Sequence, residues 1–138
     1  MAQVLKQRVE LYLYSYRCTH PDISLTVGKT STGVYKNDVF QMYIYYRKDA
    51  IRINVKAGTY QHGAYEALVA DKLVFQKPSA SPYSGKGLFA FFVDERNIET
   101  VIKKLLESET IPSDKLMIDY EINSRRYVEE KKREQSKT

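Results

Sequence analysis

Val39-Phe40-Gln41-Met42-Tyr43-Ile44-Tyr45-Tyr46, then Arg47-Lys48-Asp49-Ala50, then Ile51-Arg52-Ile53-Asn54-Val55-Lys56 is the stretch that decides the fold. Aromatic and β-branched residues, which suit a pleated and half-buried surface, dominate both ends. The polar middle predicts a turn, so 39–56 reads as a β-hairpin. In its second arm Ile51, Ile53 and Val55 alternate strictly with Arg52, Asn54 and Lys56. A one-residue slip would bury two cations, so the register is well specified, with Arg52 and Lys56 expected on the outer face.

Working outward, Val4 to Arg17 carries a stripe of Leu5, Val9, Tyr12, Leu13 and Tyr16 at helical spacing. The same stretch also alternates as a strand, but Pro21 and the early start at Ala2 favour a helix ending near Cys18. Ile23–Val27 predicts a short strand closed by Gly28, and Lys29 to Gly33 reads as a polar turn. Downstream, Ala64 to Val74 predicts a helix, and 77–87 is a loop of structure breakers. Leu88-Phe89-Ala90-Phe91-Phe92-Val93 predicts a strand buried on both faces and therefore central in its sheet. Asp94 is placed to cap a helix in which Ile98, Val101, Ile102, Leu105 and Leu106 form one apolar stripe. The segment 114–128 fits a helix or a strand. These elements predict an α+β fold: a small mixed or antiparallel sheet of about four strands around the hairpin 39–56, packed by three to four helices. Residues 1–123 form the single domain, and 124–138 form a charged, helical or fraying tail.

Composition bounds the function. The 138 residues fit one domain, and a hydrophobic content of 43% is enough for a real core. No apolar run reaches the ~18–20 residues of a membrane span, and the first ten residues lack the pattern of a signal peptide, so a cytoplasmic protein is expected. Cys18 is the only cysteine, which excludes an internal disulfide framework. Cys18, His20 and His62 lack structural-zinc spacing. The net charge of +5 is uneven: residues 29–77 carry +4, 94–123 carry −4, and 124–138 carry +3. Gly28-Lys29-Thr30 ends like a phosphate loop, but Ile23 stands where the pattern needs its first glycine. His20 and His62 sit in loops, without a nucleophile elbow near them.

The order helix, strands, helix, strand, helix over roughly residues 2–93 resembles the core of the PD-(D/E)xK nuclease superfamily. On that resemblance Asp38 opens the first motif strand, Asn54-Val55-Lys56 holds the second motif, and Glu10 is the additional acid. Two carboxylates would hold a divalent metal and the lysine would assist the attacking water. Asn54 departs from the pattern, since an amide replaces the second acid. The resemblance therefore implies a divalent-metal nuclease of degenerate type, or a relative that binds without cutting.

Twelve tyrosines and no tryptophan are present, several beside cations: Tyr35-Lys36, Tyr45-Tyr46-Arg47-Lys48, and Tyr83 near Lys86. A phenol ring offers a stacking face for bases, and Lys and Arg neutralise phosphates. The expected function is a small non-catalytic, cofactor-free binding or regulatory protein. Its expected partner is nucleic acid or a nucleic-acid-handling complex, in the manner of phage-encoded or defence-related accessory proteins and inhibitors. The contact residues are Lys36, Tyr46, Arg47, Lys48, Arg52, Lys56, Lys77, Tyr83 and Lys86. The rival is a protein-binding inhibitor that uses the tyrosine surface.

Overall fold

The computed structural model describes residues 2–47, 50–57, 60–76 and 87–108, with residue 2 and residues 60–62 as backbone alone. Helix α1 (Ala2–Thr19) leads into strands β1 (Ile23–Val27), β2 (Ser31–Lys36), β3 (Val39–Tyr46) and β4 (Ile51–Lys56). Helix α2 (Tyr60–Ala70), strand β5 (Leu88–Val93), a 3-10 turn (Glu95–Asn97) and helix α3 (Ile98–Glu107) follow. The five strands form one sheet in sequence order, and every neighbouring pair is antiparallel. The α+β expectation holds, with one strand more than the four expected. The segments 77–86 and 109–138, including the tail, lie outside the described residues.

The hairpin sets the layer. Ile44 pairs with Ile53 and Tyr46 with Ile51, so Met42, Ile44 and Tyr46 share a face with Ile51, Ile53 and Val55, and all six are buried. Phe89, Phe91 and Val93 extend this face on β5, and Ile23 and Val34 extend it on the other side. The helices cover it. Val9 and Leu13 of α1, Leu68 of α2, and Ile98, Val101, Ile102, Leu105 and Leu106 of α3 complete one continuous core. In α1, Val4 and Leu11 are each 68% exposed while Val9 and Leu13 are fully buried, which is a helical period and not the alternation of a strand. No helix among the described residues is long and apolar enough to cross a membrane.

Four local expectations are corrected. The polar stretch after Gly28 turns sooner than its composition suggests: Gly28 N–H donates to the Ser31 carbonyl at 2.9 Å, and Ser31 already begins β2. Ser31-Thr32-Gly33 has too little apolar alternation to announce a strand, yet the β1 and β3 ladders on either side enforce one. Helix α2 ends before Asp71, because Lys72 takes a left-handed conformation at φ 59° and Leu73 N–H turns back to the Leu68 carbonyl at 2.9 Å. Strand β5 lies at the end of the strand order and not at its centre. It is buried on both faces all the same, because Phe75 bridges Phe92 through two backbone hydrogen bonds of 3.0 and 2.9 Å. The Gln76 side chain adds a bond to the Ala90 carbonyl. Finally, the Asp94 side chain makes no capping bond. Its main-chain carbonyl accepts from Asn97 at 3.0 Å, and its carboxylate faces Arg96 at 3.7 Å on the surface.

One polar chain runs through the α1–sheet interface. The Tyr46 and Thr32 hydroxyls lie 2.9 Å apart, Thr32 donates to Glu10 at 3.4 Å, and Lys6 pairs with Glu10 at 2.7 Å. Burial pushes the Tyr46 phenol up to about 12, although the Thr32 hydrogen bond works against it and Glu10 adds to it. The folded protein thus holds the neutral phenol, whereas the unfolded chain ionises near the ordinary value of about 10. The resulting stabilisation is complete below pH ~10 and is lost as pH rises toward ~12. Urea midpoints measured at pH 9 and pH 11.5 should therefore fall further in the parent than in Tyr46→Phe. At neutral pH the variant should lose about 0.5–1.5 kcal/mol with its hydrogen bond.

Candidate nucleic-acid interface

Residues that alternate with the core point to the opposite side of the sheet. On β3 these are Tyr43 and Tyr45. In register beside them lie Gly33 and Ser31 on β2, and Asn54 and Arg52 on β4, followed by Ala90 and Phe92 on β5. Strict alternation would send Phe40 to the core side with Met42. A bulge prevents this. Val34 pairs with Met42 and Tyr35 with Phe40, so Gln41 is the extra residue of the bulge and the face changes at that point. Phe40 thereby joins Tyr35, Tyr43 and Tyr45 on the outer face.

The four rings form a continuous row. Centroids of Tyr35 and Phe40 are 6.1 Å apart, those of Phe40 and Tyr43 4.7 Å, and those of Tyr43 and Tyr45 6.1 Å. All four are half-buried and keep part of each ring at the surface. The Tyr35 and Tyr43 hydroxyls meet at 3.5 Å, and this contact, ahead of any burial, raises the Tyr43 phenol above its ordinary range. Past β4, Phe92 stacks with Phe75 at 5.9 Å and 26°. The two pairs that cross between strands, Tyr35–Phe40 and Phe75–Phe92, are of a kind that stabilises a sheet by about 0.2–1 kcal/mol each, and the row's rings have a second effect. Here they also tile the face that α1 and α2 leave alone, since the Thr32–Glu10 bond and the Tyr65 contacts with Phe89 and Phe91 place both helices on the core side.

Only some of the expected contact residues meet here. Arg47 is exposed directly after β3, Arg52 lies half-buried across from Tyr45, and Lys56 is exposed at the end of β4. Lys36 is exposed at the end of β2 but has the parity of Ile23, toward the core side. Tyr46 is corrected outright: it is 6% exposed, on the core face, and no base can reach its ring. Lys48, Lys77, Tyr83 and Lys86 lie outside the described residues. Phe40, Tyr43 and Tyr45 were missed as contacts. The signal for Tyr43 and Tyr45 was their alternation with Met42 and Ile44, whereas the bulge that turns Phe40 outward leaves no mark in the sequence.

The residues matched to the nuclease pattern do not converge. Asp38 sits with Asn37 at the β2–β3 hairpin tip, both with positive φ. Asn54 pairs with Tyr43, five residues along β3, which is roughly 16 Å away at strand rise. Glu10 lies on the core side with Lys6 and Thr32, so the sheet separates it from Asn54. Near the end of α1, the His20 ring stacks on Tyr16 at 4.0 Å, and exposed Cys18 donates to the Tyr14 carbonyl. Among the described residues no cluster of three His, Cys, Asp or Glu side chains could hold a metal.

Gly33 makes the row possible. A Cβ there would collide with the Thr26 hydroxyl and lie 3.2 Å from the Tyr43 ring and 3.3 Å from the Tyr35 ring. The two rings close over the bare backbone in its place. Gly33→Val should thus splay them and cost about 1–3 kcal/mol by overpacking. A lower urea midpoint, with a changed near-ultraviolet tyrosine circular dichroism signal, checks this.

Compared with protein-family models, with curated proteins and with solved structures, the chain matches none.

Proposed function

We propose that the protein binds single-stranded nucleic acid across the outer face of its sheet, stacking bases on the aromatic row and neutralising phosphates with the adjoining cations. The observation that carries this reading is the row Tyr35–Phe40–Tyr43–Tyr45 on the face opposite α1 and α2, with Arg47, Arg52 and Lys56 along its flank. Unpaired bases offer π-faces to such rings, and stacking contributes about 1–3 kcal/mol per base. A duplex keeps its bases stacked on one another and can offer this face only its backbone. The +4 charge of residues 29–77 supplies the sequence-independent attraction. A role as an accessory or regulatory component of a nucleic-acid-handling complex follows from the same chemistry.

Fluorescence anisotropy with labelled single- and double-stranded oligonucleotides across a salt series tests the reading. Single strands should bind more tightly than duplex. Tyr43→Ala and Tyr45→Ala should each weaken single-strand binding by about 1–3 kcal/mol with the salt slope unchanged. Replacing Arg47, Arg52 and Lys56 together by Gln should instead flatten the slope of log K against log salt by up to roughly 2. Absence of any salt-sensitive binding by the parent would sink the proposal and favour a protein partner on the same tyrosine-rich face.

A further inference from the structure

The two ends of the sheet differ. β5 is closed by Phe75, through its two backbone bonds with Phe92, and by the Gln76 side chain. At the other end, no strand among the described residues pairs with the free side of β1. The ladder fixes which groups face that side. Gly28 N–H donates to the Ser31 carbonyl and Asn37 N–H to the Asp22 carbonyl, so residues 22, 24, 26 and 28 are the ones bonded to β2. The alternate residues Ile23, Leu25 and Val27 therefore turn their N–H and C=O groups to the edge, where the Ile23 N–H is taken by the His20 carbonyl. Open edges are ordinarily guarded by Lys, Pro, a bulge or a covering segment. β1 reads Ile-Ser-Leu-Thr-Val, without charge or Pro, and its Val27 is 52% exposed. Opposite charges flank it, Asp22 before and Lys29 after. Neither has an ion pair among the described residues.

We propose that β1 pairs antiparallel with β1 of a second copy, joining two sheets into one across a two-fold axis at Leu25. A two-fold interface must be self-complementary, and this edge is. In the register centred on Leu25, that residue exchanges both backbone bonds with its counterpart. Val27 N–H of each copy then donates to the Ile23 carbonyl of the other. Centring on Ser24 or Thr26 fails, because their backbone groups already bond to β2. On the helix side Leu25 meets Leu25, and exposed Val27 gains Ile23 of the second copy as its neighbour. On the outer side Thr26 meets Ser24. The same register carries Lys29 of each copy alongside Asp22 of the other, whereas a parallel pairing would set like charges together. The outer faces of the two copies become one surface, with the hydroxyls of Ser24 and Thr26 between the two aromatic rows.

Sedimentation equilibrium over a concentration series, without nucleic acid, tests the dimer independently of the single-strand reading. A reversible dimer of the 16.1-kDa chain is expected. Val27→Lys should raise its Kd by about tenfold or more, since the new charge would be buried beside Ile23. Asp22→Lys should raise it about threefold or more at low salt, and adding Lys29→Asp should return it to within about twofold of the parent. Leu11→Lys, on the exposed side of α1, should change nothing. The Leu25 and Val27 amides should exchange slowly with solvent deuterium in the dimer and quickly on dilution. A monomer at every concentration overturns the proposal. So does a dimer broken by Leu11→Lys and not by Val27→Lys, which would place the contact on α1. Protection of both amides at every dilution overturns it too, and would assign this edge to a segment of the same chain.

Discussion

The pairing of β3 with β4 is the constraint on which the rest depends. It fixes Ile44 against Ile53 and Tyr46 against Ile51 on one side, and therefore Tyr43 against Asn54 and Tyr45 against Arg52 on the other. Because side chains alternate with period two, the core and the candidate interface are not independent designs. Packing strength on the helix side holds the outward rings in place, and any slip would exchange the two faces together. Helix α3 buries its entire apolar stripe in that core, so its contribution to the opposite surface is indirect but real.

Two small departures from regularity shape the outer face. The bulge at Gln41 turns Phe40 outward, which lengthens the row by one ring. Gly33 supplies an absence, a place on β2 where two neighbouring rings lean over backbone. Bulges and strand glycines weaken a sheet locally, and here the neighbouring aromatic contacts offset that weakness.

Much of this was legible in the sequence where a strong period was present. The α3 stripe and the alternation of β4 emerge residue for residue. Tyr46 shows how the reading failed. Its neighbours Arg47 and Lys48 suggested a contact site, but adjacency along a strand sets side chains on opposite faces. Parity with Met42 and Ile44 already assigned Tyr46 inward and Tyr45 outward. Strand β2 was hidden because its stability comes from partners on both sides and not from its own Ser-Thr-Gly start. The position of β5 was misjudged for a related reason. Its apolar run reports burial, and burial at the end of this strand order comes from Phe75 and Gln76, a contact distant in sequence.

The strictly sequential strand order also carries a kinetic meaning. Four of the five strands are joined by short turns, so their pairings close small loops and form from local encounters. Strand β5 instead returns to β4 across residues 57–87, and its docking bears a larger chain-closure entropy. A meander of four strands can thus assemble early, with its apolar side covered only by α1 until β5 and α3 arrive. The slow step in folding would then be the closing of the core side, while the face with the tyrosine row is laid down with the first hairpins.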